Sequence, residues 1–148
     1  MKQTLDLSCV VPYRQLGEQV EFCLIRPVLE NRWEFPKVVV SDGQCHKALA
    51  LREAEAAAGL VGQLDDSPLG KFESSRGAET HLFVAFLMRV TNGHDQAVHV
   101  PLPTRRWCLA EEARVRIRRK PLRRLIDEAL RRLASDPSRF GRGPGSPV

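Results

Sequence analysis

The residues best equipped for chemistry lie in the stretch Arg52-Glu53-Ala54-Glu55-Ala56-Ala57-Ala58-Gly59-Leu60. An arginine and a carboxylate side by side, late in a helical pattern that stops at Gly59, have the makings of a catalytic helix. The carboxylate would hold a metal ion. A hard divalent cation such as Mg²⁺ needs oxygen ligands in near-octahedral array, normally one or two carboxylates together with phosphate and water. On a helix that turns 100° per residue, Ala57 lies about 40° and Ala56 about −60° from Glu53, so both flank it on one face. Those are the places for further carboxylates, and alanine has no side-chain oxygen to offer. Glu55 lies about 160° away and cannot replace them. The Arg52-Glu53 pair also reads as a simple structural bridge on a helix.

This stretch must be held by the elements around it. Leu5 to Tyr13 reads as a strand in which Leu5, Leu7, Cys9 and Val11 alternate with more polar neighbours. Gln15 to Glu18 is turn-like, and Val20 to Ile25 is a second strand, so the pair reads as a hairpin ended by Pro27. Phe35 is held extended by Pro36, and Val38-Val39-Val40 is β-branched and so extended too. Ser41-Asp42-Gly43 is a turn into a helix from about Gln44 to Ala58, with Gly59 at its C-terminal end. Short strands are expected at Val61 to Leu64 and Leu69 to Phe72, and a long apolar one at Thr80 to Val90, followed by a turn at Asn92 to Asp95. Arg105 to Cys108 reads as a last strand and Ala110 to Val115 as a short helix. Pro121 to Leu133 carries an apolar stripe of Leu122, Leu125, Ile126, Ala129, Leu130 and Leu133. The order implies one α+β domain over residues 1–134 and a flexible tail over 135–148.

The order of these elements and several local words resemble the Nudix superfamily, hydrolases of nucleoside diphosphates linked to another moiety. The resemblance covers nearly the whole chain. It rests on Leu24-Ile25-Arg26, on Trp33-Glu34-Phe35-Pro36-Lys37, on Arg52-Glu53 with Gly59-Leu60, and on Leu69-Gly70-Lys71-Phe72 with Arg76. Arg106-Trp107 and Ala110-Glu111-Glu112-Ala113 complete it. It implies a Nudix-type α/β/α sandwich around a mixed β-sheet. Phe35-Pro36-Lys37 and the short length look most like the diadenosine polyphosphate and diphosphoinositol polyphosphate branch.

The family's signature box is G, five residues, E, seven residues, then R-E-U-x-E-E-x-G-U, where U is bulky and apolar. On this chain the first glycine falls on Val38, the first glutamate on Gln44, and the two later glutamates on Ala56 and Ala57. The resemblance implies Mg²⁺ or Mn²⁺ at the box helix; here Glu53 would be its one remaining ligand, so binding is expected to be weak or absent. The resemblance makes Arg52 and Glu53 the catalytic remnants and implies that Arg52 would orient the glutamates. Lys37, Arg26, Arg76 and Trp33 are the implied substrate-binding residues, three cations for phosphate and one ring for stacking. Each cation also reads as an exposed charge, and Trp33 as a residue packed on the sheet.

The chain of 148 residues holds 23 Lys and Arg against 18 Asp and Glu. Nine of those cations and two of the acids lie between Arg114 and Arg132, so the remainder is slightly acidic. The basic stretch is either a solvated helix face or the footprint of a polyanion. No apolar run approaches the roughly 20 residues that span a bilayer, and Cys9, Cys23, Cys45 and Cys108 lack metal-site spacing. The expectation is a cytoplasmic protein with reduced cysteines and no membrane contact. Three functions fit. The first is a Nudix-fold protein with impaired catalysis that binds a phosphorylated small molecule or a protein partner. The second is an altered hydrolase using Glu53 with Asp42, Glu73 or Glu79. The third is a nucleic-acid binder using the basic stretch.

Overall fold

Leu7 to Tyr13 are all buried, including Ser8 and Pro12. The strand is as expected, and its more polar positions in this segment are buried with the apolar ones, because it lies inside the sheet with both faces covered. The Ser8 hydroxyl is satisfied by donating to the His46 carbonyl at 2.7 Å. The computed structural model describes residues 3–27, 31–93 and 104–135. These form β1 (Gln3–Leu16), β2 (Gln19–Arg26), β3 (Lys37–Val40), α1 (His46–Ala58), β4 (Leu60–Leu64) and β5 (Gly70–Arg76). The order closes with β6 (Glu79–Gly93), β7 (Thr104–Leu109), α2 (Ala110–Arg116) and α3 (Lys120–Ala134).

The strands make one mixed sheet in the order β4-β6-β1-β2-β7, with β3 paired to β1 and β5 to β6. β1 and β6 run parallel from Gln3 opposite Glu79 to Tyr13 opposite Arg89; the other pairs are antiparallel. Side-chain alternation then sorts two cores. On one face Leu7, Cys9, Val11 and Tyr13 meet Phe22, Leu24, Phe83 and Leu87 beneath α2 and α3. On the other, Val10, Cys23, Ile25, Phe86 and Met88 meet Ala50, Ala54 and Ala58 of α1. The result is the expected α/β/α layering.

α3 buries Leu122, Leu125, Ile126, Ala129 and Leu133, five of the six stripe residues, and Leu130 packs at the edge of the same core. Arg114 of α2 donates to Asp127 of α3 at 2.6 Å, joining the two helices. α1 starts at His46, two residues later than expected, and ends at Gly59, whose φ of 68° is left-handed. A guanidinium from outside the helix completes that end: Arg105 of β7 donates to the Ala58 carbonyl.

Two turns differ from expectation. β1 continues to Leu16, leaving Gly17-Glu18 as the bend, with Gly17 at φ 62°. Asn92 and Gly93 are strand rather than turn, because β4 pairs there, Leu60 with Gly93 and Val61 with Asn92. His94, Asp95 and the tail beyond Ser135 lie outside the described residues. The β4 ladder shifts register between Val61 and Gly62, and a Cβ on Gly62 would stand 2.1 Å from the Arg89 carbonyl oxygen. Gly62→Ala is therefore expected to cost about 1–3 kcal/mol through forced backbone displacement, read as a lower urea midpoint with little change in slope.

Candidate functional site

α1 presents its small residues to the sheet. Ala50, Ala54 and Ala58 are buried there, which lets the helix lie close. Glu53 sits beside this contact, half-buried, while Arg52, Glu55 and Ala56 are exposed and Ala57 packs at the core's margin. Neither Arg52 nor Glu53 makes an ion pair with a described residue. The bridge read from their adjacency is thus absent, since neighbouring helical side chains diverge by about 100°. Burial alone pushes the Glu53 carboxyl above its usual range.

The implied phosphate cations are placed differently from one another. Lys37 opens β3 and reaches Glu34, with Nζ at 3.1 Å from Oε1 and 3.3 Å from Oε2. Glu34 is only 3% exposed, so its carboxylate needs a near counter-charge, and Lys37 supplies one. Arg26, at the end of β2, lies over the Trp33 ring with its guanidinium carbon 5.3 Å from the centroid. Arg116 of α2 lies over the same ring at 5.6 Å. Trp33 itself packs on the core beneath α2 and α3, so it is both a packed residue and a cation platform. Arg76 is the last residue of β5, beyond β6 and β1 from β2, so the backbone separates it from Arg26 and Trp33.

Around Trp33 a cleft of about 440 Å³ opens, lined by Arg26, Asn31, Arg32, Glu112, Val115, Arg116 and Arg118. Of these, Arg26 and Trp33 are the ones the sequence resemblance implies as ligand-binding, and Glu112 belongs to a word that carries the resemblance. Arg116 and Arg118 were legible only as part of a basic run, and Arg32 carried no signal of its own.

No protein-family model matches the chain, and no curated protein matches it. Solved structures do. A C. elegans Ap4A hydrolase in a binary complex superposes with a TM-score of 0.78 at 21% identity, over 89% of this chain and 99% of that one. The chain has the Nudix fold. A Nudix hydrolase from Nitrosomonas europaea gives 0.71 at 13% identity, covering 87% and 90% of the two chains. The Nudix domain of Shewanella oneidensis NrtR, complexed with ADP ribose, gives 0.71 at 13% identity with 90% of each chain covered.

The Nudix fold implies a divalent metal at the box helix, and the donors present on α1 do not fit one. Glu53 offers one carboxylate, and Ala56 and Ala57 offer no side-chain oxygen. Asp42 is exposed in the turn before the helix, Glu79 accepts from or pairs with His81 Nε2 at 3.1 Å, and Glu73 lines a groove between β5 and α3. Among the described residues, no three His, Cys, Asp or Glu side chains converge in a set able to hold a metal ion.

Three of the four cysteines are buried, and burial pushes the thiols of Cys9 and Cys23 up to about 12 and that of Cys108 to about 11. The exposed Cys45 precedes α1, and the amides of Ala48 and Lys47 hold its thiol below the usual value. No helix among the described residues is long and apolar enough to cross a membrane.

The raised carboxyl of Glu53 has a signed consequence. A folded-state value above the unfolded one means that the folded protein binds the proton more tightly, so stability is highest below the unfolded value and is lost as pH rises through the folded one. Glu53→Gln, which mimics the protonated form, should melt higher than the wild type at neutral pH. The gap should close as pH falls below the ordinary glutamate value of about 4.3. Thermal unfolding of both proteins across that range checks this.

Proposed function

We propose that this chain is a Nudix-fold protein that binds a phosphorylated small molecule and does not hydrolyse it by the ordinary Mg²⁺- or Mn²⁺-dependent route. The observation that carries this reading is the solitary carboxylate of Glu53, with Ala56 and Ala57 beside it. Mg²⁺ is normally held by one or two carboxylates with phosphate and water, so Glu53 alone is the smallest such set and leaves no second carboxylate on that face to fix the ion against a pyrophosphate and position the attacking water. Arg52 is then a remnant without carboxylates to orient.

Binding has its own support. The C. elegans neighbour is an Ap4A hydrolase, and the Shewanella one was solved with ADP ribose. Both names point to nucleotide-derived ligands carrying linked phosphates, in line with the diadenosine polyphosphate branch that Phe35-Pro36-Lys37 suggests. Arg26 and Trp33 stand together and are the residues we assign to the ligand, whereas Lys37 is paired with Glu34 and Arg76 ends β5 across β6 and β1 from them. Guanidinium and ammonium groups attract phosphate without any metal. The four free cysteines support a cytoplasmic location.

A thermal-shift panel of nucleoside and inositol polyphosphates, run with and without EDTA beside a hydrolysis assay with Mg²⁺ or Mn²⁺, tests the reading. Stabilisation by at least one compound in EDTA is expected, together with no metal-dependent turnover. Turnover at ordinary rates that disappears in Glu53→Gln would establish the altered-hydrolase reading instead.

A further inference from the structure

The basic run from Arg114 to Arg132 does not form one continuous face. Arg114 is held by Asp127, Arg131 by Glu128, and Arg132 by Asp65 and the Ser67 and Pro68 carbonyls. These cations join elements of the fold. Arg116 and Arg118 go elsewhere. They form one wall of the cleft around Trp33, and Arg26 and Arg32 form the other.

Four arginines thus line about 440 Å³, and among the described residues one carboxylate, that of Glu112, lines it with them. Glu112 is itself shared, accepting from Arg116 at 2.7 Å and from Arg106 at 2.9 Å. Those hydrogen bonds, the one from Arg116 foremost, hold its carboxyl below the usual range. Among the described residues no carboxylate pairs with Arg26, Arg32 or Arg118. Like charges gathered in a concavity repel one another, and an anion placed between them relieves that repulsion.

The cleft is also prepared. The two guanidiniums over the Trp33 ring are held by the cation–π attraction, and the ring is anchored in the core, so less side-chain freedom is lost when an anion arrives. Its volume is that of a small-ligand site rather than a track for an extended polymer. Val115, 81% exposed on the rim, adds an apolar surface beside the charges.

We propose that this cleft binds a chain of two or more phosphates, free or carried by a nucleoside, without a metal ion. It lies on the α2 side of the sheet, whereas the box helix covers the other side. The site therefore needs nothing from Glu53. The proposal rests on the reading that the chain binds a phosphorylated small molecule, and it says where and by which charges.

Calorimetry on the full chain in excess EDTA tests it, with inorganic tripolyphosphate, ATP, orthophosphate and a single-stranded RNA as separate titrants. Tripolyphosphate should bind, ATP at least as well, and orthophosphate at least about tenfold more weakly, because it reaches fewer guanidiniums. Arg32→Ala and Arg118→Ala, both at exposed positions and so expected to fold, should each weaken tripolyphosphate about tenfold. Arg124→Ala, which removes the same charge from α3 outside the cleft, should leave binding unchanged. If tripolyphosphate binds but neither cleft variant weakens it, the location is wrong while the binding reading stands. If ATP binds and tripolyphosphate does not, or binding needs Mg²⁺, or RNA outcompetes both, the metal-free polyphosphate site is wrong. If no phosphate compound binds, both proposals fall.

Discussion

The parallel pairing of β1 with β6 is the constraint on which the rest of the molecule depends. It holds eleven consecutive residue pairs in register, from Gln3 with Glu79 to Tyr13 with Arg89. Because strand side chains alternate, this one ladder assigns every neighbouring side chain to the α1 face or to the α2–α3 face. It places Val10, Phe86 and Met88 beneath the alanines of α1, and Leu7, Val11, Phe83 and Leu87 beneath α3. The register of β2 continues the sorting. Cys23 and Ile25 face α1, so Arg26 turns to the side where Trp33 and Arg116 lie. A slip of one residue would exchange these faces.

Two surfaces with different chemistry follow. On α1 the alanines give close packing and no oxygen, and Glu53 stands half-buried with no described partner. Under the proposed function, a metal ion on this face would have Glu53 as its one carboxylate, with no second to fix its geometry. Recognition by arginine has no such requirement. A guanidinium keeps its charge at any physiological pH and offers a fork of donors to phosphate oxygens. The cleft around Trp33 gathers four of them. Under the proposed function, phosphate recognition survives on the side of the sheet that never relied on the metal.

Much of the fold was legible in the sequence because its signals were local. The stripe on α3, the glycine after α1, the β-branched run Val38–Val40 and the apolar run of β6 each fix an element by propensity and periodicity. Missed features depended on distant pairing. Asn92 and Gly93 have turn composition, yet β4 arrives to pair with them. Ser8 looks solvent-facing until the His46 carbonyl is brought to it across 38 positions. Arg52, Glu53 and Gly59 drew notice because they are close in sequence and because words on either side, such as Trp33 to Lys37, resemble those of one family. The Trp33 cleft was only half visible, because its two walls are more than 80 positions apart and no spacing rule links Arg32 to Arg118.

The central claim, that α1 lacks the oxygens for a metal ion, is tested most directly by titrating Mg²⁺ and Mn²⁺ into the wild type and into a variant with Gln44→Glu, Ala56→Glu and Ala57→Glu, following the melting temperature. No shift is predicted for the wild type, and a rise with metal concentration is predicted for the variant as the missing carboxylates are restored. A wild-type melting temperature that rises with Mg²⁺, with the rise abolished by Glu53→Gln, would contradict it.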